Sequence, residues 1–196
     1  MTTTVTGLFD RYDDARETVS ALETAGIPSR DISIVANNGD DYHKTNAAED
    51  AGEGAGIGAA VGGVGGLLTG LGIMAIPGVG PVVAAGWLAA TTAGAVAGAV
   101  VGGAAGGIVG AMTKEGVPEA DAHVYAEGVR RGGTLVTAKV DDAQAANARS
   151  IIQQYRSADV AQRRTDYQSE GWKGFDEGAS AMTQEKLRET RNLPPI

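Results

Sequence analysis

Hydrophobic and polar positions alternate in two different ways along this chain. In the first 36 residues the pattern is that of an ordinary α/β domain. TTTVTGLF reads as a strand, and DRYDDARETVSALETAG as a helix with Tyr12, Ala15, Val19 and Leu22 on one face. Asp10 is placed to cap that helix and Gly26 to end it. DISIVA follows as a second strand, with Ile32 and Ile34 alternating against polar neighbours. After a long interruption the same pattern resumes. PEADAHVYAEGVRRGG predicts a helix opened by Pro118, with Ala122, Tyr125 and Val129 inward. TLVTAKV predicts a strand, and DDAQAANARSIIQQYRSAD a helix packed through Ile151, Ile152 and Tyr155. A last, weaker strand is expected in VAQRRT.

The interruption is chemically different. All 16 basic and 24 acidic residues lie outside Gly54–Thr113, although the mean hydropathy of the chain is only −0.08. Within this stretch the residues are almost all small or apolar. Gly54, Gly58, Gly62, Gly66 and Gly70 recur every four residues, and so do Gly94, Gly98, Gly102, Gly106 and Gly110, with Gly86 and Ala90 extending the second row. Four-residue spacing puts each row on one helix face, where the missing side chains let two backbones approach. Between the rows, Pro77, Gly78, Gly80 and Pro81 predict a tight turn. The expectation is an apolar helical hairpin. Its first helix, Gly54–Ala75, would be about 33 Å long, enough for a bilayer core, and its second, Val82–Met112, about 46 Å.

These patterns divide the chain into four parts. Residues 1–36 and 117–165 form a head domain, 37–53 a polar linker, 54–113 the hairpin, and 166–196 a polar tail. In the tail, Thr183 is placed to cap a short helix through Arg191, and Trp172 and Phe175 are candidate docking anchors. Right-handed crossovers would arrange the head as a ferredoxin-like α/β sandwich, an α+β fold split by the hairpin.

A formal net charge of −8 argues against a nucleic-acid partner. The absence of cysteine excludes disulfides, thiolate metal sites and cysteine nucleophiles. The start, MTTTVTGLFDRYDD, lacks a signal-peptide pattern, so the charged parts are expected in the cytoplasm. Gly54, Gly56 and Ala59 match the spacing of a dinucleotide loop, but the acidic residues before them do not read as a strand. His43 follows Asp40 and Asp41 without a second ligand cluster, and His123 sits four residues from both Glu119 and Glu127. Asp13–Asp14, Glu49–Asp50 and Asp141–Asp142 fit helix starts or solubility, and Arg130–Arg131 and Arg163–Arg164 fit a solvated face. No catalytic residue, metal ligand, cofactor or small-molecule ligand is indicated.

The β-α-β start, the IPGVGPVVAAG segment and GVPEADAHVYAEGVRRGGTLVTAKV together resemble bacterial general stress proteins with the general stress protein 17M-like domain. The likeness spans about residues 3–160, and EGVRRGGTLV is its most specific part. It implies a stress-related, non-catalytic protein.

The residues and this resemblance together suggest a membrane-associated protein with a cytoplasmic head, its partners the lipid bilayer and further copies of itself. A soluble cytoplasmic oligomer or shell with the hairpins in its core is the alternative, and a pore a third. On the first of these readings, Gly62→Leu or Gly102→Leu should abolish assembly, seen as loss of the high-mass species in sizing of the purified protein.

Overall fold

In the computed structural model of the chain, residues 2–38, 71–98, 107–183, 185–187 and 189 are described. They build one five-stranded antiparallel sheet, in the order β1-β5-β2-β4-β3, with helices on both faces. The strands are β1 (Thr2–Phe9), β2 (Ile32–Asn37), β3 (Gly72–Ile76), β4 (Gly80–Gly86) and β5 (Thr134–Asp141). The helices are α1 (Tyr12–Thr24), α2 (Trp87–Gly98), α3 (Ile108–Lys114), α4 (Glu119–Arg130), α5 (Asp142–Gln154) and α6 (Val160–Ser169).

One core lies under α1 and α5, where Ala15, Val19, Leu22, Ala148 and Ile152 meet Phe9, Ile32, Ile34 and Val136. The second lies under α2, α3 and α4, where Leu88, Met112, Ala126 and Val129 meet Leu8, Val35, Val82 and Leu135. Helix α6 packs outside α4. Strand β2, expected to alternate, is buried at every position because both its faces are covered.

The α+β class holds, but the layering is not that of a two-layer sandwich. Two connections each skip one strand: β1 to β2 across β5, and β4 to β5 across β2. Helix α1 sits on one face and α4 on the other, so these two crossovers have opposite hands. Right-handed crossovers throughout would have stacked both helices on one face.

The larger correction concerns the apolar hairpin. The turn at Pro77–Pro81 is present, but strands flank it, not helices. β3 and β4 pair antiparallel from Gly72↔Ala84 to Ile76↔Gly80, and β4 pairs with β2 from Ser33↔Gly86 to Asn37↔Val82. The physical reason is composition. Ile73, Ile76, Val79, Val82 and Val83 are β-branched, and a buried strand has no polar face to show a period of two. The backbone turns from β4 into α2 at Gly86. Its φ is +90°, and a Cβ there would stand 2.1 Å from the Ile32 carbonyl oxygen. Helix α2 is followed by a separate helix, α3, entered through an extended Gly107, so Gly110 does not continue the row of Gly94 and Gly98. Gly54, Gly58, Gly62, Gly66, Gly70, Gly102 and Gly106 lie outside the described residues. Among the described residues no helix is long and apolar enough to cross a membrane.

Two smaller differences have local causes. VAQRRT is the start of α6 and not a strand, because the Asp159 carboxylate accepts hydrogen bonds from the Ala161 and Gln162 amides at 2.8 and 3.0 Å and caps the helix. Asp10 does not cap α1. It pairs with Arg163 at 2.8 Å, while Arg11 holds the N-cap position. Gly26 does end the helix, with φ +88° and the Ile27 amide returning to the Leu22 carbonyl.

The two left-handed glycines should therefore differ in tolerance. Gly86→Ala should cost at least about 3 kcal/mol, because strain and a backbone clash add. Gly26→Ala, with open space around the added carbon, should cost only about 1 kcal/mol. Urea denaturation of the two variants checks this.

Candidate functional site

The turn between β3 and β4 is built by its sequence. Pro77 and Gly78 take the two central positions of a type II turn, with Gly78 at φ +74° and the Val79 amide donating to the Ile76 carbonyl at 3.1 Å. Pro81 lacks an amide hydrogen, and its carbonyl accepts from the Asn38 amide at 2.9 Å, so its backbone faces the β2 side. Alternate residues of an antiparallel strand direct their backbone groups to opposite sides. Gly80, Val82 and Ala84 therefore face β3, and their partners Ile76, Met74 and Gly72 face back. The amides and carbonyls of Ile73 and Ala75 point to the outer edge of the sheet.

Among the described residues, that edge is apolar and unguarded. Strand β3, GIMAI, carries no charge and no proline, the usual devices that keep edge strands from pairing. Ile73 is 62% exposed and is the exposed large hydrophobic residue among those described. The opposite edge is different. On β1 the Leu8 carbonyl accepts from the Ala158 amide at 2.7 Å, and the Thr4 hydroxyl donates to the Glu115 carbonyl at 2.7 Å.

The tail closes over the turn. Phe175 is buried in the core under α3 and α4, and its amide donates to His123 Nδ1 at 3.1 Å. A Cβ on Gly78 would stand 2.6 Å from the Asp176 carbonyl oxygen, and one on Gly80 would stand 2.7 Å from the Ala181 Cβ. Trp172 meets the Tyr167 ring edge-on at 5.7 Å. The expected anchors thus dock on their own chain. Beyond them the Lys186 amide reaches the Thr183 hydroxyl at 3.4 Å, in line with a capped turn there, and Leu187 is buried. Arg191 lies outside the described residues.

EGVRRGG proves to be an anchor rather than a solvated patch. Glu127 is fully buried and accepts from Arg130 at 2.7 and 2.8 Å and from Arg131 at 2.7 Å. Arg131 also pairs with Glu170 and lies 4.1 Å above the Tyr167 ring, which ties α6 to α4. Burial alone would raise the Glu127 carboxyl, but the hydrogen bonds and charges of Arg130 and Arg131 hold it below its ordinary 4.5. A Cβ on Gly128 would meet Leu8 at 2.4 Å, and Gly133 returns its amide to the Gly128 carbonyl at 2.9 Å. Glu127, Gly128, Arg130, Arg131 and Gly133 therefore each have a packing reason.

Of the two histidines, His43 lies outside the described residues. His123 approaches Glu119 at 3.9 Å, while Glu127, expected beside it, turns to the arginines. A groove of about 730 Å³ beside them is lined by Val109, Thr113, Val117, His123, Phe175 and Glu177. A second groove, of about 600 Å³, runs along β1 past Asp121, Tyr125 and Arg149. Burial, reinforced by Asp121, pushes the Tyr125 phenol up to about 12, so it stays protonated at neutral pH. Among the described residues no group of three His, Asp or Glu side chains is placed to hold a metal. The exposed edge at Ile73 is the feature that the hydrophobic pattern did not disclose. A Pro-Gly turn between β-branched runs is the hairpin signal that could have found it.

Residues 4–74 match the family model described as the heat induced stress protein YflT domain. The match begins in β1, runs through α1 and β2 and ends in β3. No curated protein and no solved structure matches the chain.

The buried carboxylate sets a testable pH dependence. Its folded value is depressed, so its contribution is complete above the ordinary 4.5 and is lost as pH falls through the lower folded value. Glu127→Gln should cost roughly 3 kcal/mol at neutral pH. The variant's stability should then fall less than the parent's on acidification below pH 4.5, as followed by urea unfolding.

Proposed function

We propose, on the match of residues 4–74 to the heat induced stress protein YflT domain, that this chain serves the stress response by associating with further copies of itself, without catalytic turnover. The observation that carries this reading is the open edge of β3, where an exposed isoleucine stands in an uncharged strand. Soluble proteins commonly blunt such edges with charge, proline or a covering segment, because an unpaired row of amides and carbonyls templates pairing with another chain. The buried Glu127 and the part-buried Arg130 and Arg131, by contrast, pair with one another, and Arg131 ties α4 to α6 through Glu170.

The uncharged run that leads into β3 contributes to the same behaviour. Its glycine row, Gly54 to Gly70, supports close packing between copies, next in sequence to the open strand. The same absence of charge favours a second reading, in which this run lies in a lipid bilayer and attaches the protein to a membrane from its cytoplasmic side.

Carbonate extraction of membranes from expressing cells, followed by sizing of the released protein, separates the two. Self-association alone predicts release into the supernatant as a defined species larger than a monomer. Retention in the pellet until detergent is added would establish the membrane reading. A released monomer at every concentration would end the self-association reading.

A further inference from the structure

From the backbone directions of β3 we infer where two copies meet: the edge strands pair antiparallel about a twofold axis through Met74, joining two sheets into one. This rests on the self-association reading and names its contact.

The register follows from the strand itself. Only Ile73 and Ala75 direct both backbone groups outward, since Gly72, Met74 and Ile76 face β4. In an antiparallel pair, the residues that exchange both hydrogen bonds must each face the partner strand. The register that engages both outward residues of each strand sets Ile73 of one copy opposite Ala75 of the other, and the same pair repeats on the far side of the axis. Met74 then stands opposite its own counterpart in a pair without mutual hydrogen bonds, where the Cα atoms approach to about 4.5 Å. Shifting the register by one residue would set an outward residue against an inward one and lose the exchange.

A second copy is the occupant that the edge fits. A twofold contact must be self-complementary. A charged strand would place like charges opposite each other, whereas GIMAI carries none. The side chains also match. Ile73, the exposed large apolar residue, meets the small Ala75 of the other copy on the same face of the joined sheet. Pro77, which cannot donate, follows the strand and limits the ladder on that side. Such a short ladder covers less than the roughly 800 Å² per partner of a standard interface, so pairing should depend on concentration.

The full-length chain tests this by sedimentation velocity over a range of concentrations. Ala75→Pro removes an outward amide and spares the β3–β4 ladder; Ile73→Lys places a charge on the edge. Each should weaken association by roughly tenfold or more, since every pair contains the change twice. Thermal unfolding should leave both variants as stable as the parent, and if Ala75→Pro fails to fold, Ile73→Lys decides alone.

The chain has no cysteine, so single replacements report the register. Under mild oxidation Met74→Cys should form disulfide-linked dimers at least roughly tenfold faster than Ala75→Cys, because only position 74 stands opposite itself at a bridgeable distance. Association of the parent with unchanged Ile73→Lys association, or equal cross-linking at the two positions, would overturn the pairing and leave self-association standing. A parent that remains monomeric throughout would overturn both.

Discussion

Strand β2 is buried along its whole length, with β5 on one side and β4 on the other, and the rest of the structure depends on its second ladder. Through β4 the uncharged stretch is drawn into the sheet. Val82 and Ala84 complete the core under α2 and α3, and Ala85 extends the core on the other face. Gly86 makes the ladder possible at its end, where the chain passes too close to the Ile32 and Ser33 backbone for any side chain. Once β4 is fixed, β3 follows by the turn, and it has no partner of its own beyond β4 among the described strands. An apolar sheet edge is thus a consequence of burying β4.

The charged residues work on other elements. Glu127, Arg130, Arg131 and Glu170 hold α4 and α6 together, and Asp10 and Arg163 bring α6 to the start of α1. A buried carboxylate is costly unless its partners are fixed, and here the partners follow it on the same helix at three- and four-residue spacing. From α6 the chain continues through Trp172 to Phe175, which enters the core beside the β3–β4 turn. The glycines at 78 and 80 let the tail lie against that turn. The ionic anchor and the hairpin are therefore linked through the tail, although they are far apart in sequence.

Helices of mixed polarity are legible in the amino-acid sequence through their buried faces, as Ala122, Tyr125 and Val129 show in α4. So are the strands at either end of the chain, and the turn at Pro77–Pro81. What the sequence conceals has a physical cause. A strand buried on both faces and a buried helix are both continuous apolar runs, so the four-residue glycine spacing masks the β-branching that decides between them. The spacing of Gly94 and Gly98 does fall on a helix, but Gly110 belongs to another one. Helix α6 escapes a reading of hydrophobic periodicity because its signal is a cap, Asp159, and not an apolar face. The open edge is hidden for a further reason: exposure of Ile73 depends on which strand lies outermost, and strand order is a property of the whole sheet.

Charge and edge act against each other in any association of copies. Each chain carries a formal −8, so two copies repel at long range, over about 8–10 Å at physiological salt. The edge itself is uncharged, and once the strands touch, no ionic group must be desolvated there. Repulsion would thus govern how often copies meet, and the ladder how long they stay. Apolar contacts such as Ile73 against Ala75 weaken on cooling, so their share of the attraction grows with temperature over the physiological range.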